Sequence, residues 1–241
     1  MHTPEDAPLA VSINQLGFEW QSHSPVIEIN ELTIKQGEHV FLEGPSGSGK
    51  TTLLNLVSGV LSPTRGDVCV LGQSLAQLSN SKRDSFRADN LGIIFQQFNL
   101  LPYLSMRENV TLACQFSAAR KARLKAQQQT PEQAAEALLN QLGLGAELFN
   151  RPVTALSVGQ QQRVAAARAL IGSPPIIIAD EPTSALDAPL RDRFLELLFS
   201  ACKQQQATLL FVSHDPSIAE GFDRRIALQD INRAAQPLEA E

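Results

Sequence analysis

The chain has 241 residues, 43% of them hydrophobic, enough for one domain with a subdomain, and its formal net charge of −5 argues against general attraction to nucleic acid or anionic lipid. No run approaches the ~18 to 20 apolar residues of a membrane span, and Met1-His2-Thr3-Pro4-Glu5-Asp6 lacks the basic and apolar regions of a signal peptide. Cys69, Cys114 and Cys202 are scattered and odd in number, so they read as small apolar residues of a reducing compartment, and the chain is expected in the cytoplasm, meeting a membrane only through a protein partner.

After a tail expected to be flexible over 1–9, strand-like segments run from Val11 to Phe18, from Val26 to Ile34 and, further on, from Val68 to Leu71. No helical crossover separates the first two, which predicts a small, partly antiparallel sheet. Between them and the third segment, the apolar run Val40-Phe41-Leu42 leads into Gly44-Pro45-Ser46-Gly47-Ser48-Gly49-Lys50-Thr51 and then into a helix-like stretch, Thr52 to Val57. A strand, a G-x-x-x-x-G-K-[ST] loop and a helix form a phosphate cradle. The glycines let backbone N–H groups turn inward beside the positive end of the helix. Lys50 is expected to neutralise β and γ phosphates, and the Thr51 hydroxyl to hold Mg²⁺.

Ile93-Ile94-Phe95 reads as another buried strand, and from about Leu100 to Leu156 the pattern turns helical. Ser105 with Glu108 and Thr130 with Gln133 make capping boxes, and Ala135, Leu138, Leu139 and Leu142 give an apolar stripe ending at Gly143. The basic stretch Arg120 to Gln129 fits a phospholipid-facing patch but is expected to be a solvated helix face or connection. In Leu156-Ser157-Val158-Gly159-Gln160, Ser157 and Gln160 form a third capping box; a helix start with an adjacent glycine is also an anion site.

Pro175 to Asp180 is a β-branched run that delivers two carboxylates at its end. Asp180 suits a water-mediated Mg²⁺ ligand, and Glu181 suits the group that polarises an attacking water. Thr208 to Val212 reads as a strand that ends at His214, Asp215-Pro216 as a helix start, and Arg225 to Leu228 as the last strand.

The order of these segments resembles the ATP-binding subunits of ABC transporters: the phosphate loop, Gln96 in Ile94-Phe95-Gln96-Gln97-Phe98, Leu156 to Gln160, Asp180-Glu181, Ser184-Ala185-Leu186-Asp187, and Val212-Ser213-His214-Asp215. Gly92 to Pro102 and Glu108-Asn109-Val110 bring it nearest to the lipoprotein-release and macrolide-exporter (LolD/MacB-like) type. The resemblance implies an α/β P-loop NTPase core of mostly parallel strands, RecA-like, with a small antiparallel β subdomain and an inserted helical subdomain at about 99–163. The cassette then covers 10–232, followed by a flexible tail, 233–241.

It also implies ATP with Mg²⁺. ATP is expected on Gly44, Pro45, Ser46, Gly47, Ser48, Gly49, Lys50, Thr51 and Thr52, with Trp20, or in competition Phe18, stacked on adenine. Thr51, Gln96 and Asp180 are expected at Mg²⁺, Glu181 and Gln96 at the attacking water, and His214 at the γ-phosphate. Ser157, Gly159 and Gln160 of a second copy would close over that phosphate in a head-to-tail dimer, while Asp187 spans the dimer or equally caps the helix that Pro189 begins.

The implied function is ATP hydrolysis energising a separate integral membrane permease from the cytoplasmic face of the inner membrane, with no direct membrane insertion and no nucleic acid partner. An FtsE-like subunit transmitting a mechanical signal is the alternative. DNA-repair relatives carry long coiled coils or zinc cysteines that this chain lacks, and an inactive scaffold would have lost Lys50, Glu181 or His214. Phe98 to Tyr103 is either the permease contact or the buried root of the helical subdomain. Two positions depart from the family pattern: Val158 stands where glycine is usual, and Gln229-Asp230-Ile231-Asn232 lacks the usual Asp-Gly turn.

Overall fold

Residues 7–21 and 24–235 are described by the structure, a computed structural model. The tails expected at 1–9 and 233–241 lie outside the described residues over 1–6 and 236–241; Leu9 already begins the first strand and Arg233–Ala235 form a 3-10 turn. The chain divides into two compact units, Met1–Arg87 with Leu210–Glu241, and Ala88–Leu209.

In the first unit, β1 (Leu9–Gln21) and β2 (Ser24–Lys35) pair antiparallel, placing Ile13 opposite Leu32 and Leu16 opposite Ile29. Ile13, Leu16, Ile27, Ile29 and Ile34 are buried; alternation holds from Val11 to Ile13, from Leu16 to Phe18, from Ile27 to Ile29 and from Leu32 to Ile34, and it changes phase between these stretches, at Gln15 (φ 47°) on β1. β3 (His39–Glu43) is apolar through its middle and runs into α1 (Lys50–Val57). β4 (Arg65–Val70) pairs with the other edge of β1, and β5 (Gln73–Ser74) closes a hairpin on it, giving the order β2-β1-β4-β5. This is the small antiparallel sheet the sequence predicts. α2 (Asn80–Asn90) follows, with no buried residue along its polar length.

The second unit starts at β6 (Leu91–Ile94), which ends one residue before the exposed Phe95. Three helices come next: α3 (Met106–Gln115), α4 (Ala118–Ala126) and α5 (Pro131–Gln141). The capping boxes at Ser105 and Thr130 are both formed, and Gly143 at φ 72° lies just beyond α5. Then α6 (Val158–Leu170), β7 (Ile176–Asp180) and α7 (Ala188–Gln205) complete the unit, with β7 parallel to β6.

The basic segment is exposed at 121–122 and 125–129, as its sequence expectation has it, and departs from that expectation at its two arginines. Arg120 is not solvated but 3% exposed, because four backbone carbonyls, those of Ala88, Leu91, Ala169 and Ile171, converge on its guanidinium; Arg123 likewise bonds the carbonyls of Gly172 and Asp89.

β8 (Thr208–Ser213) is buried throughout and leads back into the first unit, where it lies beside β3. β9 (Arg224–Ala227) pairs parallel with β3 on the other side, Leu42 opposite Ile226. Phe41, Phe211 and Phe222 pack with centroids 5.3 to 6.4 Å apart behind β3; burying each is worth about 1.5–3 kcal/mol. The strand expected through Leu228 stops at Ala227, because Leu228 opens the single turn α8 (Leu228–Ile231), closed by the Asn232 N–H on the Leu228 carbonyl. All three cysteines are free; burial pushes the Cys202 thiol up to about 12, which keeps it protonated and inert.

Candidate nucleotide site

The expected residues fall into two sets, one in each unit. In the first unit, β3 delivers the chain to Gly44, and the loop turns through Gly47 (φ 80°) and Gly49 (φ 97°), left-handed values that only glycine takes without strain. Gly49 is the N-cap of α1 and supplies no capping side chain, so the positive end of that helix faces the loop without a side-chain cap. A side chain at Gly47 would meet nothing within 4 Å, leaving open space over the loop. The Ser48 hydroxyl oxygen is buried and has no hydrogen-bond partner among the described residues. Lys50, 6% exposed, folds over the loop and donates to the carbonyls of Gly44 at 2.7 Å and Pro45 at 2.9 Å. An open loop of N–H groups, an orphaned hydroxyl and a buried ammonium fit a polyphosphate.

Also in this unit, Thr51 is exposed and Thr52 half-buried on the first turn of α1. Trp20 is 65% exposed and meets Phe18 edge-on at 4.9 Å; Phe18 is buried, which leaves Trp20 the free face. His214 is exposed one residue past β8, and the following turn is fixed by Asp215 capping Ser217.

In the second unit, α6 organises the remaining residues. Ser157 caps it: the Ser157 oxygen accepts from the Gln160 N–H at 3.3 Å, and the Gln160 side chain accepts from the Ser157 N–H at 2.9 Å. Among the described residues the Ser157 hydroxyl accepts the first of these bonds and donates none. Gly159 lies in the first turn, where an added side chain would touch only Leu186, at 4.0 Å.

Further along the same helix, the fully buried Gln162 donates to the Pro182 carbonyl at 2.7 Å. This fixes the turn after Asp180 and Glu181. Glu181 itself has φ 44°, a strained value for a residue with a side chain, of the kind concentrated at functional sites.

Arg168 donates to the Asn99 carbonyl at 2.6 Å and the Phe98 carbonyl at 2.5 Å, both residues having positive φ, and so clamps the turn that follows the exposed Gln96. Burial lowers the Arg168 pKa without discharging it. Asp187 caps α7 by accepting from the Leu190 N–H at 3.0 Å. Sequence analysis missed Gln162 and Arg168 as organising residues. Arg168 could have been found as the one polar side chain interrupting the apolar run Val164 to Ile171, whereas Gln162 lies in the polar stretch Gln160 to Arg163 and carries no such signal.

Gln96, Asp180 and Thr51 each carry a hard oxygen donor of the kind Mg²⁺ takes. Among the described residues no cluster of three His, Cys, Asp or Glu stands ready for a metal.

The model of the ABC transporter family matches residues 27–184. The lipoprotein-releasing system ATP-binding protein LolD of Anaeromyxobacter dehalogenans is 42% identical over 209 residues, 86% of this chain and 84% of that one. The macrolide export ATP-binding/permease protein MacB of Syntrophobacter fumaroxidans is 38% identical over 206 residues, 86% of this chain and 28% of MacB. Among solved structures, a dimeric ATP-binding cassette in a post-hydrolysis state, bound to ADP and Pi, superposes with a TM-score of 0.78 at 34% identity, covering 90% of this chain and 93% of that one. The chain belongs to the ABC transporter family, as an ATP-binding cassette and ABC ATPase of the LolD/MacB type.

Proposed function

We propose that the chain is the ATP-hydrolysing subunit of a transporter complex, which pairs head to tail with a second copy over two ATP molecules and energises a separate membrane permease of the lipoprotein-release or MacB-like efflux type. The observation that supports this is the open space at Gly159, on an exposed and capped helix start, which leaves room for a phosphate of the second copy to approach the backbone.

In this reading the cassette covers 10–232, with a helical subdomain at about 99–163. Trp20 stacks on adenine, and residues 44–52 hold the phosphates, with Lys50 exchanging its loop carbonyls for β and γ oxygens. Thr51, Gln96 and Asp180 would hold Mg²⁺, which supplies charge neutralisation on the phosphates when bound. Glu181 accepts the proton of the attacking water, Gln96 orients that water, and His214 donates to the γ-phosphate. Ser157, Gly159 and Gln160 of one copy close over the γ-phosphate of the other, excluding bulk water, and Asp187 lies on the loop spanning the pair. No helix among the described residues is long and apolar enough to cross a membrane. In this reading force is transmitted through the permease, at the cytoplasmic face.

Glu181→Gln tests the proposal, since it keeps shape and hydrogen bonding but removes the base. With ATP and Mg²⁺ the variant should elute as a dimer holding two ATP per pair while hydrolysis stalls. A monomer that still hydrolyses ATP overturns it.

A further inference from the structure

Asn232 is 0% exposed, and its carboxamide uses both ends. The side-chain oxygen accepts from the Glu28 N–H at 2.7 Å and the Ala234 N–H at 3.3 Å. The side-chain nitrogen donates to the Val26 carbonyl at 2.9 Å and, at the long end of hydrogen bonding, to the Ser48 carbonyl at 3.5 Å. The side chain thus acts as one extra peptide unit on the edge of β2, where its residue also bridges Ile29.

That edge is the wall against which the phosphate loop turns. A side chain at Gly49 would fall 2.9 Å from the Ile27 methyl carbon Cδ1 and 3.3 Å from the Val26 carbonyl. At the other end of the loop, a side chain at Gly44 would fall 3.5 Å from Cβ of Leu228, which is fully buried and opens the turn that Asn232 closes. One short turn near the C-terminal end of the described chain therefore touches the loop at both ends.

We infer that the turn Leu228–Asn232 buttresses the phosphate loop and that Asn232 is a positioning residue for nucleotide binding. It reaches no ligand itself. It fixes the Val26–Glu28 edge and the Ser48 carbonyl, and so the directions in which the N–H groups after Ser48 point. This rests on residues 44–51 being the phosphate cradle.

The test is Asn232→Ala, read by titration with ADP, by the ATPase KM and kcat, and by amide hydrogen exchange over residues 46–50. The affinity should fall about three- to tenfold, the KM for ATP should rise in parallel with kcat at saturation changed less than about twofold, and exchange at 46–50 should quicken while the β1 core is unaffected. If that variant does not fold, Asn232→Asp carries the test. It is isosteric and keeps both acceptor bonds, but sets a carboxylate oxygen against the Val26 and Ser48 carbonyls, so exchange at 46–50 without nucleotide should quicken more than in the alanine variant. Unchanged affinity and unchanged exchange in either folded variant overturn the inference. Lys50→Ala run alongside separates the two failures: if it too binds ADP normally, the cradle assignment is at fault rather than the buttress.

Discussion

Arg120 donates to the Ile171 carbonyl at 2.6 Å, joining the first turn of α4 to the C-cap of α6, and the same guanidinium also reaches the carbonyls of Ala88, Leu91 and Ala169. Burial pulls its pKa down to about 10, still well above neutrality, so a full charge sits inside the unit neutralised by carbonyl dipoles. Arg120→Met keeps the volume and strands four carbonyls, and should cost about 3–5 kcal/mol in urea unfolding. Arg120→Lys, with three donors on one atom, should fall between the two. A loss below about 1 kcal/mol in Arg120→Met would mean that water replaces the guanidinium.

Lys50 gives a second prediction because it is already engaged without a ligand. Its bonds to the Gly44 and Pro45 carbonyls brace the loop, so Lys50→Ala should lower the melting temperature slightly, by the worth of charged hydrogen bonds, about 1.5–3 kcal/mol at most. ATP affinity and turnover should fall by at least about tenfold, since the neutralising charge is gone. Near-normal ATPase in this variant would sink the assignment of the cradle.

The phosphate loop was legible from sequence because its chemistry is local: a strand, three glycines, Lys50 and Thr51 within one short stretch. The capping boxes at Ser105, Thr130 and Ser157 were legible for the same reason, each being a pair three residues apart. Arg120 was not, since a basic segment looks alike whether it faces water or four carbonyls drawn from sites 29 to 51 residues away. Asn232 failed in the same way: its partners Val26, Glu28 and Ser48 lie more than 180 residues earlier. Position 232 also drew notice only for lacking the family's usual glycine turn nearby. Side chains whose partners are backbone groups leave no paired residue in the sequence to find.

The segment Phe98 to Tyr103 splits between its two sequence readings. Phe98 is buried and its carbonyl is held by Arg168, as a subdomain root requires, whereas Tyr103 is 76% exposed. Tyr103→Asp should therefore leave stability within about 0.5 kcal/mol and basal ATPase intact, while abolishing stimulation by a co-reconstituted permease. Phe98→Asp should instead destabilise by several kcal/mol, roughly the cost of an unpaired buried charge. Loss of basal activity in Tyr103→Asp would place the permease contact elsewhere.

Positions 158 and 159 should respond with opposite signs. Val158 is the first residue of α6, helical and 49% exposed, so it presents its N–H as glycine would while setting a branched side chain on the surface proposed to close. Val158→Gly should lose up to about 1 kcal/mol of stability through helix entropy, yet raise the basal, concentration-dependent ATPase rate by relieving that crowding. At Gly159 the monomer prefers a methyl group: its φ is not left-handed and the space is open, so Gly159→Ala should gain roughly 0.5–1 kcal/mol. The same methyl would stand between Gly159 and the γ-phosphate of the second copy. Gly159→Ala should accordingly bind ATP normally as a monomer, hydrolyse it at least about tenfold more slowly, and fail to dimerise when combined with Glu181→Gln. A Gly159→Ala chain that dimerises and turns over like the parent would remove this helix from the interface. A fall in the Val158→Gly rate, with folding intact, would show that the valine makes a favourable contact across it.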